Sequence, residues 1–213
     1  MKNNENDKEN LVSDLYSRRV VLYVKETMKK IMKLNILIYG MRGLGIEIAK
    51  NIILSGPNRV TIFDPNIAKT NDLTANCYLT KDDIENQKRR DEAVLNKLSL
   101  LNSYVEVNIM KGKNILENIN HLLENEKSKY DVVVISEFLS PDEIIKINEI
   151  YINNQIGFIY TSQLDIYGFC FADFGNNFAV IDKNGSEPLK YCIKSIIKDK
   201  IGVVTFDTTE RMT

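Results

Sequence analysis

Gly40-Met41-Arg42-Gly43-Leu44-Gly45 follows an apolar run, Asn35 to Tyr39, and leads into a segment of helical period. Strand, glycine turn and helix in that order make a phosphate cradle. The first glycine of G-x-G-x-x-G makes the bend, the second lets pyrophosphate approach bare backbone, and the third lets helix and strand pack closely. Gly40 and Gly45 keep the first and third roles, with Gly43 between them, but Arg42 holds the second. A long cationic side chain therefore starts where phosphate would meet the main chain. The turn predicts the architecture of a nucleotide site together with the loss of its nucleotide, and Arg42 is read as running along the helix surface or pairing with an acid of a partner domain rather than binding phosphate.

Asp64 ends the next apolar run, where an acid can hold a ribose hydroxyl. Pro65 directly behind it favours a turn cap instead. Cys77 has the chemistry of a nucleophile, yet nothing places the one histidine, His121, beside it. Cys77 is read as a core or interface cysteine and His121 as solvated. The Lys88-Arg89-Arg90 run reads as a solvated helix face.

A chain of 213 residues is long enough for one α/β domain with a small appendage. Lys+Arg 28 against Asp+Glu 29 gives a net charge of -1, so no global field draws the protein to nucleic acid or an anionic membrane. Cys77, Cys170 and Cys192 are far apart and form no C-x-x-C, which argues against a disulfide framework or a zinc site and fits a reduced compartment. Met1 to Asn10 is polar, and no apolar run has membrane-spanning length, so a soluble chain without a secretory signal is expected.

The elements that must position the turn alternate in type. Residues 1–12 are too polar to order themselves. Ser13 caps a helix with an apolar stripe, Leu15, Val21, Leu22, Met28 and Met32, ending near Lys33. After the glycine turn a helix runs to Gly56-Pro57, and Arg59 to Asp64 is the second strand. Helix is expected within Lys81 to Leu101, Ile115 to Glu126 and Asp142 to Asn153, and strand at Tyr104 to Met110, Asp131 to Ser136 and Gly157 to Ser162. The alternation predicts a doubly wound, mainly parallel Rossmann-like sheet with helices on both faces over residues 13–165. Tyr167 to Phe174, Phe178 to Asp182 and the Asn184-Gly185 turn predict an antiparallel extension of the same domain over residues 166–213.

Leu15-Tyr16-Ser17-Arg18, the stretch from Gly40 to Asn51, Leu101-Asn102-Ser103-Tyr104-Val105, Asp173-Phe174-Gly175 and Lys198-Asp199 with Gly202-Val203-Val204-Thr205 together resemble the N-terminal half of ubiquitin-activating enzymes, in the ThiF/MoeB-like superfamily. The order and spacing of these pieces carry the resemblance, from about Leu15 to Phe206. It implies the first, inactive member of two Rossmann-like adenylation halves. The active pattern has a second Asp two residues after Asp64, where this chain has Asn66. It has an arginine where this chain has Ala75, and an Asp that aligns near Phe138. Loss of a carboxylate, an arginine and the phosphate-approach glycine removes metal coordination, charge neutralisation and steric access together.

The resemblance further implies that this half binds no cofactor, ATP and magnesium belonging to the active half. It assigns Arg18 a role across the interface, where a guanidinium suits spread phosphate charge. Arg19 and Val24 depart from the family's usual Gln and Gly. The implied partners are the active half of the same enzyme, ubiquitin, and a ubiquitin-conjugating enzyme through further domains, in cytoplasm and nucleus, with self-association of this fragment. Alternatives are the small regulatory subunit of a SUMO- or NEDD8-activating enzyme, a nicotinamide-dependent dehydrogenase disfavoured by Arg42, and a homodimeric adenylating enzyme for sulfur carriers disfavoured by Ala75 and missing zinc cysteines.

Overall fold

Apolar side chains fill both faces of the central strands, as a parallel sheet covered on both sides requires. The computed structural model describes residues 25–112, 130–179, 190–197 and 200–206. Its elements are helix α1 (Lys25–Ile31), strand β1 (Asn35–Tyr39), helix α2 (Gly43–Ser55), strand β2 (Arg59–Phe63) and a short 3-10 turn (Thr70–Thr74). Helices α3 (Lys81–Glu85) and α4 (Arg90–Ser99) follow, then strands β3 (Glu106–Ile109) and β4 (Val132–Ile135), helix α5 (Pro141–Asn153), and strands β5 (Gly157–Leu164) and β6 (Tyr167–Asp173). Strands β7 (Lys190–Ile197) and β8 (Lys200–Phe206) close the chain.

The six-stranded sheet has the order β3-β2-β1-β4-β5-β6. All its pairings are parallel except β5 with β6. This is the doubly wound sheet expected from the alternation. Successive residues of β1 point to opposite faces. Ile36 and Ile38 join Ile46, Ile53, Val94 and Leu98 under α2 and α4, while Leu37 and Tyr39 join Ile147, Tyr151 and Phe158 under α5. Ile46 and Ile53 are fully buried, each contributing about 2 kcal/mol of transfer free energy. Chain order reverses across β1: β2 lies on one side and β4 on the other. The carboxyl ends of β1 and β4 therefore mark the switch point at which such sheets hold their ligands.

Several boundaries differ from the sequence expectation for identifiable reasons. The helix expected within Lys81 to Leu101 is two helices, because Gln87 takes a left-handed conformation at φ 51 and breaks the run. Strand β3 starts only at Glu106, because the Asn102 carboxamide accepts from the Tyr104 amide and holds residues 102–105 in a turn. Met32 is 36% exposed, since α1 ends one residue before it. The predicted C-cap is present: Gly56 is left-handed at φ 85 and donates to the Ile53 carbonyl. Of the strand expected at Phe178 to Asp182, Phe178 and Ala179 are not in strand and the rest lies outside the described residues. Ser13, Arg18, His121, the helix expected at Ile115 to Glu126 and the Asn184-Gly185 turn lie outside the described residues.

Two compact units are present, Met1–Asn176 and Asn177–Thr213. The first holds the six-stranded sheet, so the antiparallel strand β6 belongs to the main sheet. In the second, β7 and β8 pair antiparallel with a register shift between Ile193 and Ser195.

Candidate functional site

Gly40 and Gly45 explain the survival of two of the turn's glycines. Gly40 sits at φ +98, a conformation that side chains resist, and its amide donates to the Phe63 carbonyl at 2.9 Å. A β-carbon on Gly45 would lie 1.9 Å from the Gly40 oxygen and 2.4 Å from Ser136 Oγ. Both residues hold the start of α2 against the end of β1, which is the packing role of the pattern. Gly43 is constrained differently, by Ala75, whose Cβ would stand 2.7 Å from a methyl there.

Arg42 is extended, at φ -79 and ψ -170, in the N-cap position of α2 and offers no side-chain cap. Its Nε lies 3.8 Å from Glu137 Oε1, and its side chain is 55% exposed. The acid it meets within this chain lies on the loop after β4. The other oxygen of that carboxylate, Oε2, is buried without a hydrogen-bond partner. Burial raises the Glu137 pKa; Arg42 pulls it down and Asp64 pushes it further up. The same surroundings push the Tyr39 phenol up to about 12, through burial first and then the charge of Glu137.

Asp64 stands just beyond β2 with no exposed surface. Its Oδ2 accepts from the Met41 amide of the glycine turn at 2.9 Å. Its Oδ1 accepts from the Asn66 amide at 3.1 Å and from Asn66 Nδ2 at 3.0 Å. The turn cap read from Pro65 is therefore present, and Asn66 is one of its donors. Arg90 Nη1 adds contacts of 3.4 Å to each oxygen. A carboxylate has about four lone-pair sites, and here five N–H contacts converge on it.

Arg90 corrects the expectation of a solvated basic face. It is 1% exposed and, among the described residues, is the largest fully buried side chain. Besides Asp64 it donates from Nε to Asp72 Oδ2 at 2.8 Å. Burial opposes its charge, but the bond to Asp72 and the field of Asp64 outweigh that and raise its pKa. Arg89 grips Asp91 with two bonds, 3.0 Å from Nε and 2.6 Å from Nη2, and Asp91 Oδ2 also accepts from the Asp64 amide at 2.8 Å. Only Lys88 of the three is substantially exposed, at 47% of its side chain, and it pairs with Asp83. A signal for this was present in the sequence. Cations in the first turn of a helix oppose its dipole, so Arg89 and Arg90 at the start of α4 require nearby acids.

Asn76 is the other residue that sequence reasoning passed over. It is buried, and its Nδ2 donates to the Met41 carbonyl at 2.9 Å, tying the loop after β2 to the glycine turn. Cys77 is exposed, so of the two positions expected for it, core or interface, the core is excluded. Among the described residues no group of three His, Cys, Asp or Glu could hold a metal ion, and no helix is long and apolar enough to cross a membrane.

Comparison with known proteins places this geometry. Ubiquitin-activating enzyme E1 2 of Arabidopsis thaliana is 36% identical over 212 residues, covering 99% of this chain and 19% of that protein. Ubiquitin-like modifier-activating enzyme 1 of Homo sapiens is 36% identical over 191 residues, covering 90% of this chain and 17% of that protein. The chain thus spans less than a fifth of the length of these relatives, in which the matching region is one part. Among solved structures, E. coli MccB with ATP superposes with a TM-score of 0.64 at 17% identity, covering 76% of this chain and 48% of that one. E. coli MccB with MccA-N7isoASN gives the same TM-score over 77% of this chain and 48% of that one. At that identity the likeness is one of fold. The ThiF family model matches residues 16–204, nearly the whole of the sheet and its extension, and the chain belongs to the ThiF family.

Proposed function

We infer that this chain is the adenylation half without chemistry of its own in a ubiquitin-activating enzyme. The observation that carries the reading is the state of Asp64. The acid that would face a ribose is enclosed, and its oxygens are taken by Met41, Asn66 and Arg90. Arg42 and Glu137 add to it: a side chain rises from the phosphate-approach position, and a carboxylate stands beside it. These residues do not fit a nucleotide with its magnesium. Bound phosphate would meet Glu137, and no free acid on Asp64 would meet the ribose.

The proposed role is to pack against a homologous half that holds ATP and magnesium, in the enzyme that forms an adenylate on the ubiquitin carboxylate and then a thioester. Arg18 would reach the ATP phosphates of that half, and ubiquitin and the conjugating enzyme would be met by the whole protein, in cytoplasm and nucleus. The relatives named as ubiquitin-activating enzymes support this partner set over a SUMO or NEDD8 system.

Titration calorimetry of the chain with ATP and magnesium, and separately with NAD, tests the degenerate site. No heat of binding is expected for either. A dissociation constant in the low micromolar range would overturn the reading. The Arg18 role is tested in the longer enzyme by pyrophosphate exchange. Arg18→Ala is expected to slow exchange by roughly 10³-fold, with the melting temperature unchanged, and Arg18→Lys to recover part of it. Exchange within about twofold of wild type, against the ~1.4 kcal/mol that a tenfold effect represents, would remove Arg18 from the site.

A further inference from the structure

The glycine turn keeps the shape of a phosphate cradle although the side chains around it do not suit a nucleotide. Gly40 holds its left-handed φ of +98, and α2 approaches the Gly40 oxygen so closely at Gly45 that no β-carbon fits between them. The first intrahelical bond of α2 runs from the Ile46 amide to the Arg42 carbonyl at 2.9 Å. The amides of Gly43, Leu44 and Gly45 therefore precede the helical ladder, and Arg42 gives them no side-chain cap. A turn of this kind favours an anion. Beside it stands Glu137, which comes from the other wall of the switch point. Ser136 Oγ donates to the Gly40 carbonyl at 3.1 Å, and the Glu137 nitrogen lies 2.9 Å from where a Gly40 β-carbon would be. From there the carboxylate reaches Arg42 Nε at 3.8 Å, with only 14% of the side chain exposed. Arg42 at the start of α2, Asp64 after β2, Arg90 at the start of α4 and Tyr39 at the end of β1 are the charged and titratable groups that face it.

We propose that Arg42 and Glu137 form a latch across a phosphate cradle that is still competent beneath it, so that removing the Glu137 charge alone admits a polyphosphate. The proposal rests on the reading of this site as degenerate and names what blocks it. The latch differs from general decay in two respects. The backbone of the turn has not collapsed, as Gly40 and Gly45 show. The two blocking groups also balance one another: with Glu137 neutral, Arg42 is left as an unmatched guanidinium at the start of α2, and its fixed donors suit phosphate oxygens. Stability does not account for Glu137, because its Oε2 is buried without a hydrogen-bond partner, and a buried acceptor without a donor costs the fold free energy. Exclusion of an anion does account for it. The ligand class follows from which end of the site survives. The phosphate end keeps its amides, whereas at the ribose end Asp64 is already taken by Met41, Asn66 and Arg90. The opened cradle therefore reads the phosphate chain and ignores the nucleoside.

Titration calorimetry of the chain of 213 residues with inorganic tripolyphosphate, at mildly alkaline pH and without magnesium, reads the latch. Glu137→Gln keeps the shape of the side chain, and a cooperative melt beside wild type establishes its fold. It is expected to bind tripolyphosphate at least about tenfold more tightly than wild type, and to bind ATP no more tightly than tripolyphosphate. Glu137→Ala, which shortens the side chain as well, is expected to show the same gain. Adding Arg42→Ala to Glu137→Gln is expected to abolish the gain, and Arg42→Ala alone to produce none, because the Glu137 charge stays in place. Binding no tighter than wild type in both Glu137 variants, a gain that survives Arg42→Ala, or ATP held more tightly than tripolyphosphate would overturn the latch and leave the degenerate reading standing. Micromolar binding of ATP by wild type overturns that reading instead.

Discussion

Arg90 places its Nη1 nitrogen 3.4 Å from both carboxylate oxygens of Asp64, with the arginine 1% and the aspartate 0% exposed. The pair connects the start of α4 to the end of β2, and through Asp64 Oδ2 to the Met41 amide of the glycine turn. Removing one partner leaves the other buried and uncompensated, which costs about 3–5 kcal/mol. Arg90→Ala is therefore expected to lower stability by that order in urea unfolding. Asp64→Asn combined with Arg90→Met is expected to lose less than Arg90→Ala alone, because the fully buried Asp64 charge no longer stays behind, and only Asp72 loses its bond from Arg90.

Gly45 and Gly168 make a contrasting pair. A methyl on Gly45 meets the Gly40 oxygen at 1.9 Å, whereas one on Gly168 meets nothing within 4 Å. Gly45→Ala must push α2 away from β1 and is expected to cost about 3 kcal/mol or more. Gly168→Ala is expected to stay within about 0.5 kcal/mol of wild type. Thermal melts of the two variants side by side check both.

Glu137 has a raised pKa because burial disfavours its charged form. The folded protein thus holds this proton more tightly than the unfolded chain, and the group's contribution to stability falls as pH rises from the usual carboxylate range through the raised value. Glu137→Gln removes that charge. It is expected to equal or exceed wild type in unfolding free energy near neutral pH, by no more than ~1 kcal/mol given partial solvent screening. The gap should close as pH falls below about 4, where the carboxyl becomes protonated in both states. A variant less stable than wild type at neutral pH would show that the pairing with Arg42 outweighs the burial cost.

Asp83 shows the opposite sign. Burial raises its pKa, but bonds from Lys88 and Thr80 outweigh that and hold it down to about 2. Its contribution is present above the usual carboxylate range and is lost as pH falls from there through about 2. Asp83→Asn is expected to destabilise at neutral pH, with the difference shrinking below about pH 4. An acid-unfolding series on both proteins measures this.

The alternation of apolar runs with helical periods, the glycine turn and the Gly56-Pro57 stop determined the parallel sheet, because these are local patterns whose physics does not depend on what packs against them. Arg42 at the phosphate-approach position of the glycine turn was likewise legible from residue type alone. Which groups would meet was decided only in three dimensions. Asp64 and Arg90 are 26 residues apart, and a run of three basic residues looks solvated until the fold brings Asp64 and Asp72 over it. The acid facing Arg42 is Glu137, 95 positions downstream by numbering, brought there by the parallel pairing of β1 with β4. Long-range ion pairs leave no periodicity in a sequence; they exist because burial makes an unpaired charge costly enough that the fold must supply its partner.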